Sequence, residues 1–188
     1  LVLGSDTSAL IHEYLRPPRH DGYRTWLFHL WVRNKALIFN DLKNVFKNLG
    51  DITVRSNLSD FTFQNSKTLI HSHSKVLEKI NTNQQLFYAF TRGIFESNIM
   101  SSTSEKESIF KVFENETLTG LQDNLSAISI NLPQGNSKIA GLYYQIFKRL
   151  AWENVTLYEV ISTTNEFTIL VEDHLVDKAF SVIKGLKY

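Results

Sequence analysis

The spacing of apolar residues changes period several times in the last third of the chain, and those changes constrain the fold more than any other feature. Ser126 to Leu132 reads as a strand. From Leu142 the apolar residues fall at Leu142, Tyr143, Ile146, Phe147, Leu150 and Ala151, with Gln145, Lys148, Arg149 and Glu153 on the other side. That is the pattern of a one-sided helix. Val155 to Thr163 is rich in β-branched residues, Thr164-Asn165 is a turn signal, and Glu166 to Val171 reads as a further strand. Within it Phe167, Ile169 and Val171 point one way and Thr168 and Leu170 the other. Asp173 is placed to cap a last helix carrying Leu175, Val176, Ala179, Phe180, Ile183 and Leu186. The order strand, helix, strand, strand, helix calls for a small sheet with two helices on one side.

The middle of the chain repeats this grammar with little shared sequence. Ile52 and Val54 alternate, then Phe61 and Phe63, with Asn57 to Asp60 as a bend or bulge between them. Asn65-Ser66 can cap a helix from Leu69 to Ile80 whose apolar face includes His73. Leu86 to Thr91 and Ile94 to Ser101 read as strands around the Arg92-Gly93 turn. Ser104 and Glu107 have capping-box spacing at the start of a helix with Ile109, Phe110 and Phe113, and Thr119-Gly120 reads as a loop. No Pro/Gly/Ser-rich linker separates the two copies, so they should pack side by side. Residues 1–50 read as helical: Ser5 or Asp6 caps a short helix, Pro17-Pro18 ends it, and a longer pattern with Trp26 and Trp31 runs to Gly50.

The run Ile139-Ala140-Gly141-Leu142, then Gln145-Ile146-Phe147, Leu150-Ala151, Asn154-Val155 and Val160-Ile161-Ser162-Thr163, resembles the ACT domain, most closely the C-terminal regulatory half of aspartokinases. The resemblance covers residues 125 to 186. The family pattern usually has Pro before the Gly, where this chain has Ala140, and Asp or Asn three positions before it, where this chain has Lys138. The middle of the chain is similar to the first of two tandem modules. The resemblance implies an α+β fold of tandem ferredoxin-like (βαββαβ) modules with a helical segment in front. The chain would divide into residues 1–50, a divergent module at 51–124 and a module at 125–188. It also implies a regulatory role without a kinase domain, a homodimer and a small amino acid as effector. In ACT domains that effector lies against the loop before the first helix, here Lys138, Ile139, Ala140, Gly141 and Leu142. A paired module adds a residue that maps to Asn154.

The residues of that loop support the same chemistry independently. The loop from Gly135 to Leu142 leads into a helix N-terminus, where free N–H groups and the helix dipole suit a carboxylate. Gly141 would let a ligand or another backbone approach closely, and Lys138 can add a charge. Two other readings stay open. Gly141 can serve helix-to-sheet packing alone, and Asn154 can simply end the helix in a left-handed conformation. Asn65 and Ser66 occupy the equivalent helix start of the first copy, without a glycine to open the loop.

Composition excludes several other classes. The 188 residues have net charge +1 and no Cys, so disulfides, thiol catalysis and Cys-ligated zinc are out, and broad nucleic-acid coating is disfavoured. No phosphate-binding loop or dinucleotide fingerprint occurs, so neither a cofactor nor catalysis is expected. His71 and His73 are two apart on a helix and cannot share a metal there, and His174 beside Asp173 reads as part of a helix start. Glu159 interrupts the alternation of Val155, Leu157 and Ile161, so it either faces water at an edge or is paired in an interface. No apolar run is long enough for a membrane, and the cytoplasm is the expected compartment, although the start at Leu1 leaves a removed leader open. The leading reading is a stand-alone regulatory module that binds a small amino acid and acts on a partner enzyme. A ligand-responsive DNA-binding regulator, with residues 5 to 50 as its reader, and a purely structural interaction protein are the alternatives.

Overall fold

The computed structural model describes residues 40–80 and 86–187. The expectations for residues 1–39, including the DNA-reading helices, lie outside the described residues. The chain divides into two compact units, Leu1–Asn44 and Val45–Tyr188. Residues 40–47 are helical, and the architecture below belongs to the second unit.

Its elements are β1 (Ile52–Gln64), α1 (Leu69–Ile80), β2 (Tyr88–Arg92), β3 (Glu96–Ser102), α2 (Lys106–Val112), β4 (Leu118–Asn131), α3 (Leu142–Trp152), β5 (Glu159–Ser162), β6 (Glu166–Glu172) and α4 (Val176–Lys184). The strands hydrogen-bond in the order β2-β3-β1-β4-β6-β5, every pair antiparallel. The fold is therefore two ferredoxin-like modules sharing their central strands. β1 has 13 residues and β4 has 14, against about 5–6 for an average strand. Each long strand serves both modules. Residues 58–64 of β1 pair with β3, while residues 52–55 pair with 127–130 of β4. Residues 125–131 of β4 pair with β6, while its first half lies against the second half of β1. Each module thus takes its first strand from one long strand and its fourth from the other.

Both long strands are kinked in their middles. Asn57 and Asn124 adopt φ of 59° and 58°, a left-handed conformation that Asn tolerates better than most residues, and the register shifts between Arg55 and Asp60. The kinks fold the sheet back on itself. In a flat sheet of this order β2 and β5 would lie five strand spacings apart, about 24 Å. Instead Ala89 of β2 and Ile161 of β5 pack on one buried cluster of Leu58, Met100, Leu125, Ala127 and Leu170. The inner faces of two half-sheets therefore meet, and the helices lie outside them. Under α1 and α2 a second cluster joins Phe61, Phe63, Leu69, Val76, Ile99, Ile109 and Phe113. On the other side Leu142, Ile146, Leu150, Ala179 and Ile183 are buried, and Phe167 stacks on Tyr143 at 4.9 Å. With both faces covered, Phe167 to Val171 are all buried.

Four sequence expectations need correction. Thr119 and Gly120 are inside β4, not in a loop. The first half of β4 is largely exposed, so it carries no core-facing alternation, and its pairing with β1 defines it instead. The strand expected from Val155 begins only at Glu159. Asn154, at φ 55°, turns the chain first, and the Val155 N–H bonds back to the Leu150 carbonyl. The capping box at Ser104 and Glu107 does not form, since a single 3-10 turn, Thr103–Glu105, precedes α2. Asp173 likewise starts a 3-10 turn and caps nothing. The first side chain of each turn is engaged by a serine next to a kink: Thr103 by Ser59 at 3.0 Å, and Asp173 by Ser126.

Candidate functional site

The loop between β4 and α3 has a pinned inner side and an open outer side. Gly135, at φ 80°, leads into a 3-10 turn, Asn136–Lys138, and Gly141 at φ 82° leads into α3. Asn136 is buried and its Nδ2 donates to the carbonyls of Pro133 (3.0 Å) and Thr164 (2.8 Å), tying the loop to the β5–β6 turn. Leu142 is buried, Ile139 is half-buried, and Lys138, Ala140 and Gly141 are exposed. No side chain caps α3: its N-cap, Gly141, has none to offer, and the first turn holds no acid. The N-terminus of an 11-residue helix, with the N–H groups of its first turn, therefore faces the exposed side of the loop.

The equivalent start in the first module is closed. Ser66 Oγ accepts from the Leu69 N–H at 3.0 Å and donates to Glu116, which also accepts from Ser72 at 3.2 Å. Asn65 donates to the Gly93 carbonyl and accepts from Ser97. Asn154 is exposed at the far end of α3, about 16 Å from Gly141 along an 11-residue helix. A single chain does not bring Asn154 and the loop to one small ligand.

The three histidines among the described residues are packed or exposed. His73 stacks on Phe90 at 3.8 Å and on Tyr88 at 5.8 Å, and its burial holds its pKa below the usual imidazole value. His71 is exposed, and His174 Nδ1 lies 3.2 Å from Glu172 rather than serving as part of a cap. Among the described residues no group of three or more His, Cys, Asp or Glu is arranged to hold a metal. No helix among them is long and apolar enough to cross a membrane.

Glu159 begins the edge strand β5, and its side chain is paired there rather than free in water. It is half-buried and lines a cavity of about 310 Å³ between the half-sheets, together with Asp60, Thr62, Asn98 and Tyr158. Its Oε2 accepts from Asn98 Nδ2 at 3.4 Å. Asp60 is 1% exposed; its Oδ2 accepts from the Tyr158 hydroxyl at 3.2 Å, and its Oδ1 has no partner. Burial above all, then the Glu159 charge, pushes the Asp60 pKa up to about 6, against the hydrogen bonds of Tyr158 and the Asn98 amide. Burial, with the same carboxylates, pushes Tyr158 up to about 12. Sequence reasoning singled out Glu159 and missed Asp60. An acid in alternation between apolar residues normally reads as the solvent side of a strand, and here that side faces a second sheet.

No family model matches the sequence, and no curated protein matches it. Solved structures match the fold. The aspartate kinase of Clostridium acetobutylicum, described as an allosteric enzyme, is similar at TM-score 0.59 and 14% identity, over 73% of this chain and 34% of its own. The ligand-free regulatory subunit of aspartate kinase from Thermus thermophilus is similar at TM-score 0.57 and 8% identity, over 76% of this chain and 100% of its own. Aspartokinase III of E. coli, in complex with aspartate and ADP, is similar at TM-score 0.55 and 12% identity, over 72% of this chain and 32% of its own. The chain thus spans about a third of the two kinases and the whole of the isolated regulatory subunit. At these identities the likeness is one of fold: the tandem modules have the architecture of aspartokinase regulatory regions.

Proposed function

We propose that the chain is a non-catalytic regulatory module that binds a small amino acid at the outer side of the Lys138 to Leu142 loop. The observation that carries this reading is the uncapped start of α3. It contrasts with the first module, where Ser66 occupies the same place. A carboxylate there would take the N–H groups of the first turn and the positive end of the helix dipole, with Lys138 in reach as a counter-charge. The likeness to aspartokinase regulatory regions supports a regulatory rather than a catalytic role. Because Asn154 stands at the far end of α3, it would reach the ligand only from a second copy, which makes a homodimer part of the proposal. A partner enzyme would then read the geometry of the ligand-bound pair.

The test is a thermal-shift screen of the twenty common amino acids on the full chain. One of them should raise the melting temperature in a saturable way, as mass action requires. Gly141→Val should fold at a cost of about 1–2 kcal/mol, since φ is positive there, and should lose that response. A response of unchanged affinity in Gly141→Val would remove the loop as the site.

A further inference from the structure

We propose that the cavity between the two half-sheets is a second binding site, taking a small primary ammonium compound between the carboxylates of Asp60 and Glu159. Strand register sets out the inner faces as two rows. One runs Ala89, Met100, Asp60 across β2, β3 and β1; the other runs Glu159, Leu170, Ala127 across β5, β6 and β4. The two modules are related by an internal repeat, visible in Asn57-Leu58-Ser59 and Asn124-Leu125-Ser126 at the kinks. Under that repeat Asp60 stands where the second module has Ala127, and Glu159 stands where the first has Ala89.

The two ends of the stacked rows differ accordingly. At one end Ala89 and Ala127 join Met100 and Leu170 in the apolar cluster. At the other, Asp60 and Glu159 line one cavity, with Tyr158, the neighbour of Glu159, bonded to Asp60. The fold is thus complete with two methyl groups at this place, and on one side only it carries two carboxylates. Asp60 is buried and also feels the Glu159 charge, so its ionised form is unfavourable without a positive partner. No Lys or Arg lines the cavity among the described residues, and Glu96 adds a further acid at its wall.

The hydrogen bonds define what is missing. Asp60, 1% exposed and part of the cavity wall, has Oδ1 without a donor, and the buried Asn98 Oδ1 lacks one too. Two donors are already shared between the acids: the Tyr158 hydroxyl goes to Asp60 Oδ2, and the Asn98 amide, which also acts on Asp60, donates to Glu159 at 3.4 Å. An ammonium group supplies three N–H donors and the opposite charge. Among the described residues no group of three or more His, Cys, Asp or Glu converges here to hold a metal, and the magnesium arm of the experiment below tests that alternative directly. A volume of about 310 Å³ is at the small end of ligand pockets, enough for a compound of a few heavy atoms beyond the ammonium. Asp60 belongs to the first module and Glu159 to the second, so an occupant would clamp the half-sheets together.

The site does not depend on the loop before α3, and the experiment separates the two. The full chain is titrated with methylammonium, tetramethylammonium, sodium and magnesium chlorides at constant ionic strength and about pH 7.5, above the Asp60 pKa. Methylammonium should raise the melting temperature saturably, and tetramethylammonium, which has no N–H, should not. Asp60→Asn and Glu159→Gln should each weaken the response at least about tenfold. Glu159 begins an edge strand, so its variant keeps the test open if Asp60→Asn folds poorly. Gly141→Val should leave the response unchanged. The proposal is overturned if methylammonium has no effect, if tetramethylammonium or magnesium matches it, or if both carboxylate variants still respond. A lost amine response beside an intact amino-acid response would overturn this inference alone.

Discussion

At Asp60 a carboxylate lies between two sheets with one oxygen bonded to Tyr158 and the other without a donor. Its pKa of about 6 in the fold lies above the ordinary value of 3.8. The folded state therefore binds more protons than the unfolded chain between those values, and Asp60 makes stability fall as pH rises through that window. Above it the full penalty applies, on the order of 3 kcal/mol from the size of the shift. Asp60→Asn should abolish this contribution. In urea unfolding, the variant should gain on the native protein as pH rises through the window and stay ahead above it. Acids of the opposite sign, such as Asp123, whose Lys106 hydrogen bond holds it below the usual carboxylate range, are common to both proteins and cancel in the difference. A difference that stays constant across the window would mean that Asp60 is solvated. A group whose own fold disfavours its charge is a functional candidate, and it could not be seen in the sequence. Glu159 broke an apolar alternation and was visible. Asp60 sits in a strand whose solvent side proved to be an interior.

The kinks in β1 and β4 are the elements that turn a flat sheet into two packed layers. The bend at Asn57 to Asp60 could be read from the interrupted alternation, whereas its counterpart at Asn124 could not, because the exposed first half of β4 looks like a loop. The recurring Asn-Leu-Ser was the available signal. The helices α1, α3 and α4 and the strand β6 were legible because each has an apolar face of clear period. The Ser66 cap of α1 was legible too. The caps expected at Ser104 and Asp173 do not form, and the side chains that open those two turns are used by the kink serines: Ser59 holds Thr103 and also Asp123, and Ser126 holds Asp173 and lies 2.8 Å from Ser56. Those bonds fix the kink angle only if the asparagines keep φ positive. Asn57→Gly should therefore be tolerated within a few tenths of a kcal/mol, while Asn57→Val should cost about 1–2 kcal/mol or more, and the same should hold at Asn124. Denaturant midpoints would measure this, and equal losses for Gly and Val would mean that the positive φ is not what positions the strand.

Sharing of the two long strands should make the modules one thermodynamic unit. The first module has no fourth strand without the start of β4, and the second has none without residues 52–55. The inner cluster also draws Leu58 and Met100 from one module and Leu125, Ala127 and Leu170 from the other. Neither module can open without exposing the other's apolar face and two runs of backbone hydrogen bonds. Ile146, 0% exposed on the inner face of α3, tests this from one side. Ile146→Ala should cost about 2–5 kcal/mol. In native-state hydrogen exchange that loss should appear equally at Ile169 in β6 and at Ile99 in β3, although Ile99 belongs to the other module. If Ile169 loses protection and Ile99 keeps it, the modules open independently and the shared strands do not couple them. The outcome matters for regulation. In a single cooperative unit, a ligand before α3 and a cation between the half-sheets each stabilise the whole unit, so each lowers its opening everywhere. With independent modules, only the cavity, which takes Asp60 from one and Glu159 from the other, would carry a signal between them.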